Sequence, residues 1–173
     1  MIPNILGLDL SIAATGVCWP DGDTDAILGK STDGDARLVT IVDRIYRAHL
    51  GFQFDLAVLE DLPVHGKAAG ITGMVHGAVR LALQRMKVPY ALLAPATLKA
   101  YATGTGTADK HAMRMAAFKR ANLEFKDDNQ CDAWWLRQAG LDWTGHPEIQ
   151  LPQAQRARLE KAKWPAMARK DAS

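Results

Sequence analysis

The stretch Leu6-Gly-Leu-Asp-Leu-Ser-Ile-Ala-Ala-Thr-Gly-Val17 decides how this chain is read. Ile5, Leu6, Leu8 and Leu10 favour a buried strand, and Asp9 sits inside that apolar run. A carboxylate there is costly unless something pairs with it, and a metal ion is one such partner. Thr15 and Gly16 are expected to turn the chain back. A second strand, Gly16 to Pro20, then runs beside the first, Asn4 to Leu10. On its own, Asp9 reads equally well as the cap of a turn.

The pattern recurs further on. Phe54 to Leu59 is another apolar strand, and it ends in Glu60-Asp61-Leu62-Pro63. Two strands that each deliver an acid at the C-terminal end point to a shared site at one edge of a sheet, where open α/β sheets bind ligands. The plainer alternative makes Glu60 and Asp61 the start of a solvated loop. A third acidic group lies in Lys126-Asp-Asp-Asn-Gln-Cys-Asp-Ala-Trp-Trp-Leu136, whose apolar half reads as a helix burying Ala133, Leu136 and tryptophan. Residues of a helix advance about 100° each, so Asp128 and Asp132 share one face. Their repulsion weakens a helix, and a divalent cation between them reverses the sign. Capping by Asp127 and Asp128 accounts for the helix start but leaves Asp132 unexplained.

Composition bounds what such a site belongs to. With 173 residues, one domain with a real core is expected. The net charge of +2 means that nucleic-acid affinity has to come from uneven charge placement. Cys18 and Cys131 stand alone in sequence, which argues against a zinc site and for buried thiols in a reducing compartment. No apolar run approaches the roughly 18 residues of a membrane span, and Asn4 and Asp9 interrupt the start where a signal peptide would be apolar. A cytoplasmic protein is expected.

The remaining elements follow in order. A third strand is expected from Ala26 to Lys30, then a helix from Ala36 ending near Gly51. A flexible loop spans Val64 to Gly70. A long helix follows, with Ile71, Met74, Val75, Ala78, Val79, Ala82, Leu83 and Met86 at helical spacing. Gly70, Gly73 and Gly77 line its second face, and each glycine costs about 1 kcal/mol in a helix interior. Close approach of another backbone, such as the same helix of a second subunit, would offset that cost. Val88 to Leu93 is a short strand, Pro95 to Tyr101 a short helix, Ala102 to Thr107 a linker. Another helix starts at Ala108, with Met113, Ala116, Ala117 and Phe118 inward. Gly104-Thr-Gly106 lacks the full phosphate-loop pattern. From Leu151 on, six basic residues face two acidic ones, a net charge of +4. That reads as a solvated tail or, more sharply, as a strand-binding arm. The expected organisation is a nuclease-like domain over residues 1–145 and a basic tail over 146–173.

The ordered set of motifs resembles the RuvC-type Holliday junction resolvases of the RNase H-like superfamily. The matching pieces are Leu6-Gly-Leu-Asp-Leu-Ser with Thr15-Gly16, Val58-Leu-Glu-Asp, Gly73-Met-Val-His-Gly77, Pro95-Ala-Thr-Leu-Lys99, Gly104 to Lys110 and Asp128-Asn-Gln-Cys-Asp-Ala133. They run in family order from Asn4 to about Gly140. The resemblance implies an α/β, RNase H-like fold with a mixed five-stranded sheet flanked by helices. It implies a homodimer that nicks branched DNA: four-way junctions, or forks and flaps. Asp9, Glu60, Asp128 and Asp132 are the expected catalytic residues and metal ligands, for two Mg²⁺ ions with Mn²⁺ as a substitute. Lys99 and Lys110 match basic residues that hold DNA beside the catalytic centre; solvated helix lysines are the plainer alternative. Such proteins also occur in phages, where the compartment is the host cytoplasm.

Two departures stand out. The family places an acid or a histidine three positions before the last aspartate, where this chain has Asn129. Asp128, one residue earlier, is the expected substitute. Many members carry an aromatic shortly after the second carboxylate, where this chain has Leu62-Pro63. Two other functions fit part of the pattern: an inactive junction-binding protein, and an actin-like ATPase or sugar kinase. The latter share the Asp and Thr-Gly hairpin but need a second domain.

Overall fold

The computed structural model describes residues 1–62 and 69–166. The loop expected from Val64 to Gly70 falls largely outside them, as do Pro63, Arg169 and Lys170. Five strands form one mixed sheet: β1 (Ile5–Asp9), β2 (Ala14–Cys18), β3 (Thr24–Leu28), β4 (Leu56–Glu60) and β5 (Tyr90–Leu93). Their spatial order is β3-β2-β1-β4-β5, with β1 antiparallel to β2 and parallel to β4. Helices α1 (Ala36–Phe52) and α2 (Ala69–Arg85) cover one face. On the other lie α3 (Pro95–Thr103), α4 (Lys110–Ala121) and α5 (Asp128–Trp143).

Strand alternation divides the core. Leu6, Leu8, Val17 and Leu59 point toward α1 and α2, where they meet Ile41, Ile45, Val75, Val79 and Leu83. Ile5, Cys18, Val58, Ala91 and Leu93 point toward α5, the most buried helix, whose Trp134, Trp135 and Leu136 fill that side. Both cysteines are buried and free.

The turn after β1 is not made as the sequence suggests. The Thr15 hydroxyl donates to the Ser11 carbonyl at 2.6 Å and accepts from the Ser11 amide at 3.2 Å, closing the turn over Ser11 to Ala13. Gly16 lies within β2, opposite Asp9. Its role is close approach: a Cβ there would stand 2.1 Å from the Asn129 carbonyl oxygen. Gly7 does the same on β1, where a Cβ would stand 2.1 Å from the Ala133 carbonyl oxygen. The two glycines let α5 lie directly on β1 and β2.

Two expectations are corrected. Phe118 is exposed rather than inward, since α4 spends its buried face on Met113 and Ala117. Residues 146–166 do not form a solvated tail. The chain continues into the same hydrophobic cluster through Ile149 and Leu159, a helix α6 (Gln153–Arg156) and a 3₁₀ turn (Ala157–Lys161). Gln155 donates to the Tyr101 carbonyl at 2.8 Å, Arg156 donates to Asp142 at 2.8 Å, and Trp164 stacks on Trp143 at 4.7 Å. Lys163 pairs with Leu92 and so covers the β5 edge. Charge counting over this segment could not anticipate that Arg156 answers a buried carboxylate.

Candidate active site

Register brings two acids together. Leu8 pairs with Leu59 across the parallel strands β1 and β4. Asp9 and Glu60, one residue further, are therefore side by side on strands about 4.8 Å apart. Both face α5, because Gly7 and Val58, two residues earlier, do so. Asp132 comes down from α5, whose approach depends on Gly7 and Gly16.

The electrostatics confirm the convergence. Burial pushes the Asp9 carboxyl up to about 7, with the Asp132 charge adding to the rise. Burial pushes Glu60 up to about 8, with Asp9 and Asp132 adding. Asp132 rises to about 6 through burial and Asp128. Three carboxyls thus share a poorly solvated corner and oppose one another's ionisation. Lys99 on α3 counters the rise at Glu60 and Asp132, and Lys110 at the start of α4 counters it at Asp9 and Asp132.

Asp128 is placed differently. Its carboxylate binds Lys110 at 2.8 Å and Arg114 at 3.2 Å. It raises Asp132, while Asp127 is the helix-start acid acting on Asp9. Asp127 caps α5 by accepting from the Gln130 amide at 2.9 Å. Asn129 lies over β2, its carbonyl and Cβ against Gly16. Arg114 is the residue that sequence reading missed; its signal is a spacing of four from Lys110, which puts both cations on one face of α4.

The residues present suit an oxygen-seeking divalent ion: carboxylates only, neutralised from the periphery by lysines. Among the described residues no three His, Cys, Asp or Glu side chains form a ready cation cage. Mg²⁺ does not require one, since it keeps several waters and takes one or two carboxylates plus substrate phosphates.

Two solved structures share this architecture. RuvC of T. thermophilus, in complex with a Holliday junction substrate, superposes with a TM-score of 0.72 at 18% identity, over 94% of this chain and 99% of that one. A Thermus thermophilus RuvC structure gives 0.69 at 18% identity, over 93% and 99%. The fold is that of RuvC. No protein-family model matches the chain. The RuvC fold fixes the sheet order and the place of α5; the side chains at the strand ends are this chain's own. Among the described residues, no helix is long and apolar enough to cross a membrane.

Proposed function

We propose that the chain is a metal-dependent endonuclease that nicks branched DNA, four-way junctions foremost. The observation that carries this reading is the meeting of Asp9, Glu60 and Asp132 at one sheet edge, with Lys99 and Lys110 beside them. The likeness to a RuvC solved with a Holliday junction substrate supports the choice of DNA.

Asp9, Glu60 and Asp132, joined by Asp128, would hold two Mg²⁺ ions. When bound, such ions supply an activated water and neutralise charge on the phosphodiester. The chain's own part is to position and to balance charge. Rigid strands fix Asp9 and Glu60, and the close seat of α5 fixes Asp132. Lys99 and Lys110 meet the phosphate backbone, and a lysine cation there stabilises the charge that develops as the phosphate is attacked. Lys110 pairs with Asp128, and a phosphate that competes for that lysine returns the Asp128 charge to the carboxyl group.

The assembly proposed is a homodimer through α2. Ile71, Met74 and Leu81 are exposed there, and a Cβ at Gly70, Gly73 or Gly77 meets nothing within 4 Å. A second copy of this face would cover both features, giving one cutting site per strand. Sedimentation at micromolar concentration should show twice the chain mass.

The test is nicking of a synthetic four-way junction in Mg²⁺. Cutting is expected, and binding without cutting would identify the inactive junction binder instead. ATP turnover without DNA cutting would favour the kinase-like alternative.

A further inference from the structure

Among the described residues, four cations line the C-terminal segment, and two are already occupied. Arg156 is held by Asp142, and Lys163 lies 3.6 Å from Asp61. Arg158 and Lys161 make no ion pair or side-chain hydrogen bond among the described residues. They sit at i and i+3 of the 3₁₀ turn, positions that eclipse one another, while Leu159 between them is buried against the core. Both cations therefore leave the turn on one side. There they wall a cavity of about 380 Å³ with Thr97 and the Gly104, Thr105 and Gly106 loop. No acidic residue among the described residues lines it.

We propose that this cavity seats a backbone phosphate of a DNA arm, outside the cutting site. The inference rests on the nuclease reading and adds a contact to it. Two unpaired cations, a threonine hydroxyl and small loop residues without an acid make a seat for a phosphate anion. Its place favours DNA over a free anion. Helix α3 carries Lys99 beside Glu60 and Asp132, and the same helix supplies Ala96, Thr97 and Ala100 to the cavity. A helix with its side chains is about 10 Å across, so the two positions lie on one short path along a strand. The segment that a charge count makes a loose basic tail thereby becomes a fixed wall beside the glycine loop.

The test is binding of a labelled four-way junction by R158A/K161A in metal-free buffer across 50–200 mM salt. Each neutralised phosphate contributes about 0.9 to the slope of log affinity against log salt, so losing this one should make the slope shallower by about 1. At 0.1 M salt the affinity should fall roughly tenfold or more. Cutting at saturating protein should stay near wild type, because the cavity does not touch the reacting carboxylates. The exchanged pair R158K/K161R should retain the wild-type slope. R44A/R47A, which removes two exposed cations from α1 on the opposite face of the sheet, should also retain it. If wild type binds the junction and R158A/K161A binds with the same slope, the proposal is overturned and the nuclease reading stands. A loss that R158K/K161R fails to restore also overturns it. If wild type neither binds nor nicks branched DNA, the nuclease reading itself is the one that fails.

Discussion

Helix α5 has a cluster of charge withdrawn from solvent at each end, and the two are built on opposite principles. At its C-terminal half every charge has an internal counter-charge. Arg137, whose side chain is only 4% exposed, donates to both Glu148 oxygens at 2.6 and 2.8 Å and to the Pro20 carbonyl at 2.6 Å. The Arg137 guanidinium holds the Glu148 carboxyl below the usual range. Arg156 forms an ion pair with the buried Asp142. At the N-terminal half, Asp9, Glu60 and Asp132 are half-buried together, and only peripheral lysines offset them. A buried charge with its partner built in ties elements together; a group of buried charges without one leaves room for a ligand of opposite sign.

The largest difference between the two ends should appear in activity. Asp9→Asn and Glu60→Gln should each reduce Mg²⁺-dependent nicking by roughly a thousandfold, about 4 kcal/mol of transition-state stabilisation. Junction binding should be nearly unchanged, since phosphate contacts from lysine and arginine dominate it. Arg137→Met should do the reverse. It leaves Glu148 without its partner and should cost about 3 kcal/mol, the low end for a broken buried pair because Glu148 is half exposed. Thermal denaturation would show this as a fall in Tm of roughly 10 °C, with cutting by the folded fraction retained.

The pH dependence of stability should also differ in sign. The carboxyls of Asp132, Asp9 and Glu60 stand at about 6, 7 and 8, above their unfolded values. Their contribution to metal-free stability is fully present below about pH 4 and is lost as pH rises through 6 to 8. The depressed Glu148 carboxyl works the other way, its contribution being lost as pH falls below the ordinary glutamate range. Melting curves from pH 2 to 8 should therefore lose part of their alkaline decline in Asp9→Asn and part of their acid decline in Arg137→Met.

A smaller effect separates Asp128 from Asn129. Charge favours Asp128 as the fourth metal ligand, and its ion pairs to Lys110 and Arg114 hold it beside Asp132. Asp128→Ala should lose most Mg²⁺-dependent cutting, while Asn129→Ala should keep much of it. Normal cutting by Asp128→Ala with a dead Asn129→Ala would hand the role to Asn129.

The contrast between the two ends was only half legible in the sequence. Asp9 and Glu60 could be read because each closes an apolar run, a pattern local to one strand. Asp132 could be read because a like charge deep in a helix contradicts capping. The partners could not, since Arg114 meets Asp128, Arg137 meets Pro20 and Arg156 meets Asp142 through packing that spacing does not encode. Gly16 is the clearest case: a glycine beside a threonine reads as a turn, whereas its function is to admit the Asn129 backbone. The C-terminal segment failed for a related reason. Its charge count is correct, but two of its cations are spent on folding.

The most direct test of the central claim is proton release on metal binding. Carboxyls at about 7 and 8 are partly protonated at pH 7, and a cation must displace those protons to bind. Titration of the protein with Mg²⁺ at pH 7, in buffers of differing ionisation enthalpy, should show roughly one to two protons released per chain. Asp9→Asn and Glu60→Gln should each release less, and Arg47→Ala should release as much as wild type. Neither proton release nor a rise in Tm with millimolar Mg²⁺ or Mn²⁺ in wild type would contradict a metal site at this edge of the sheet.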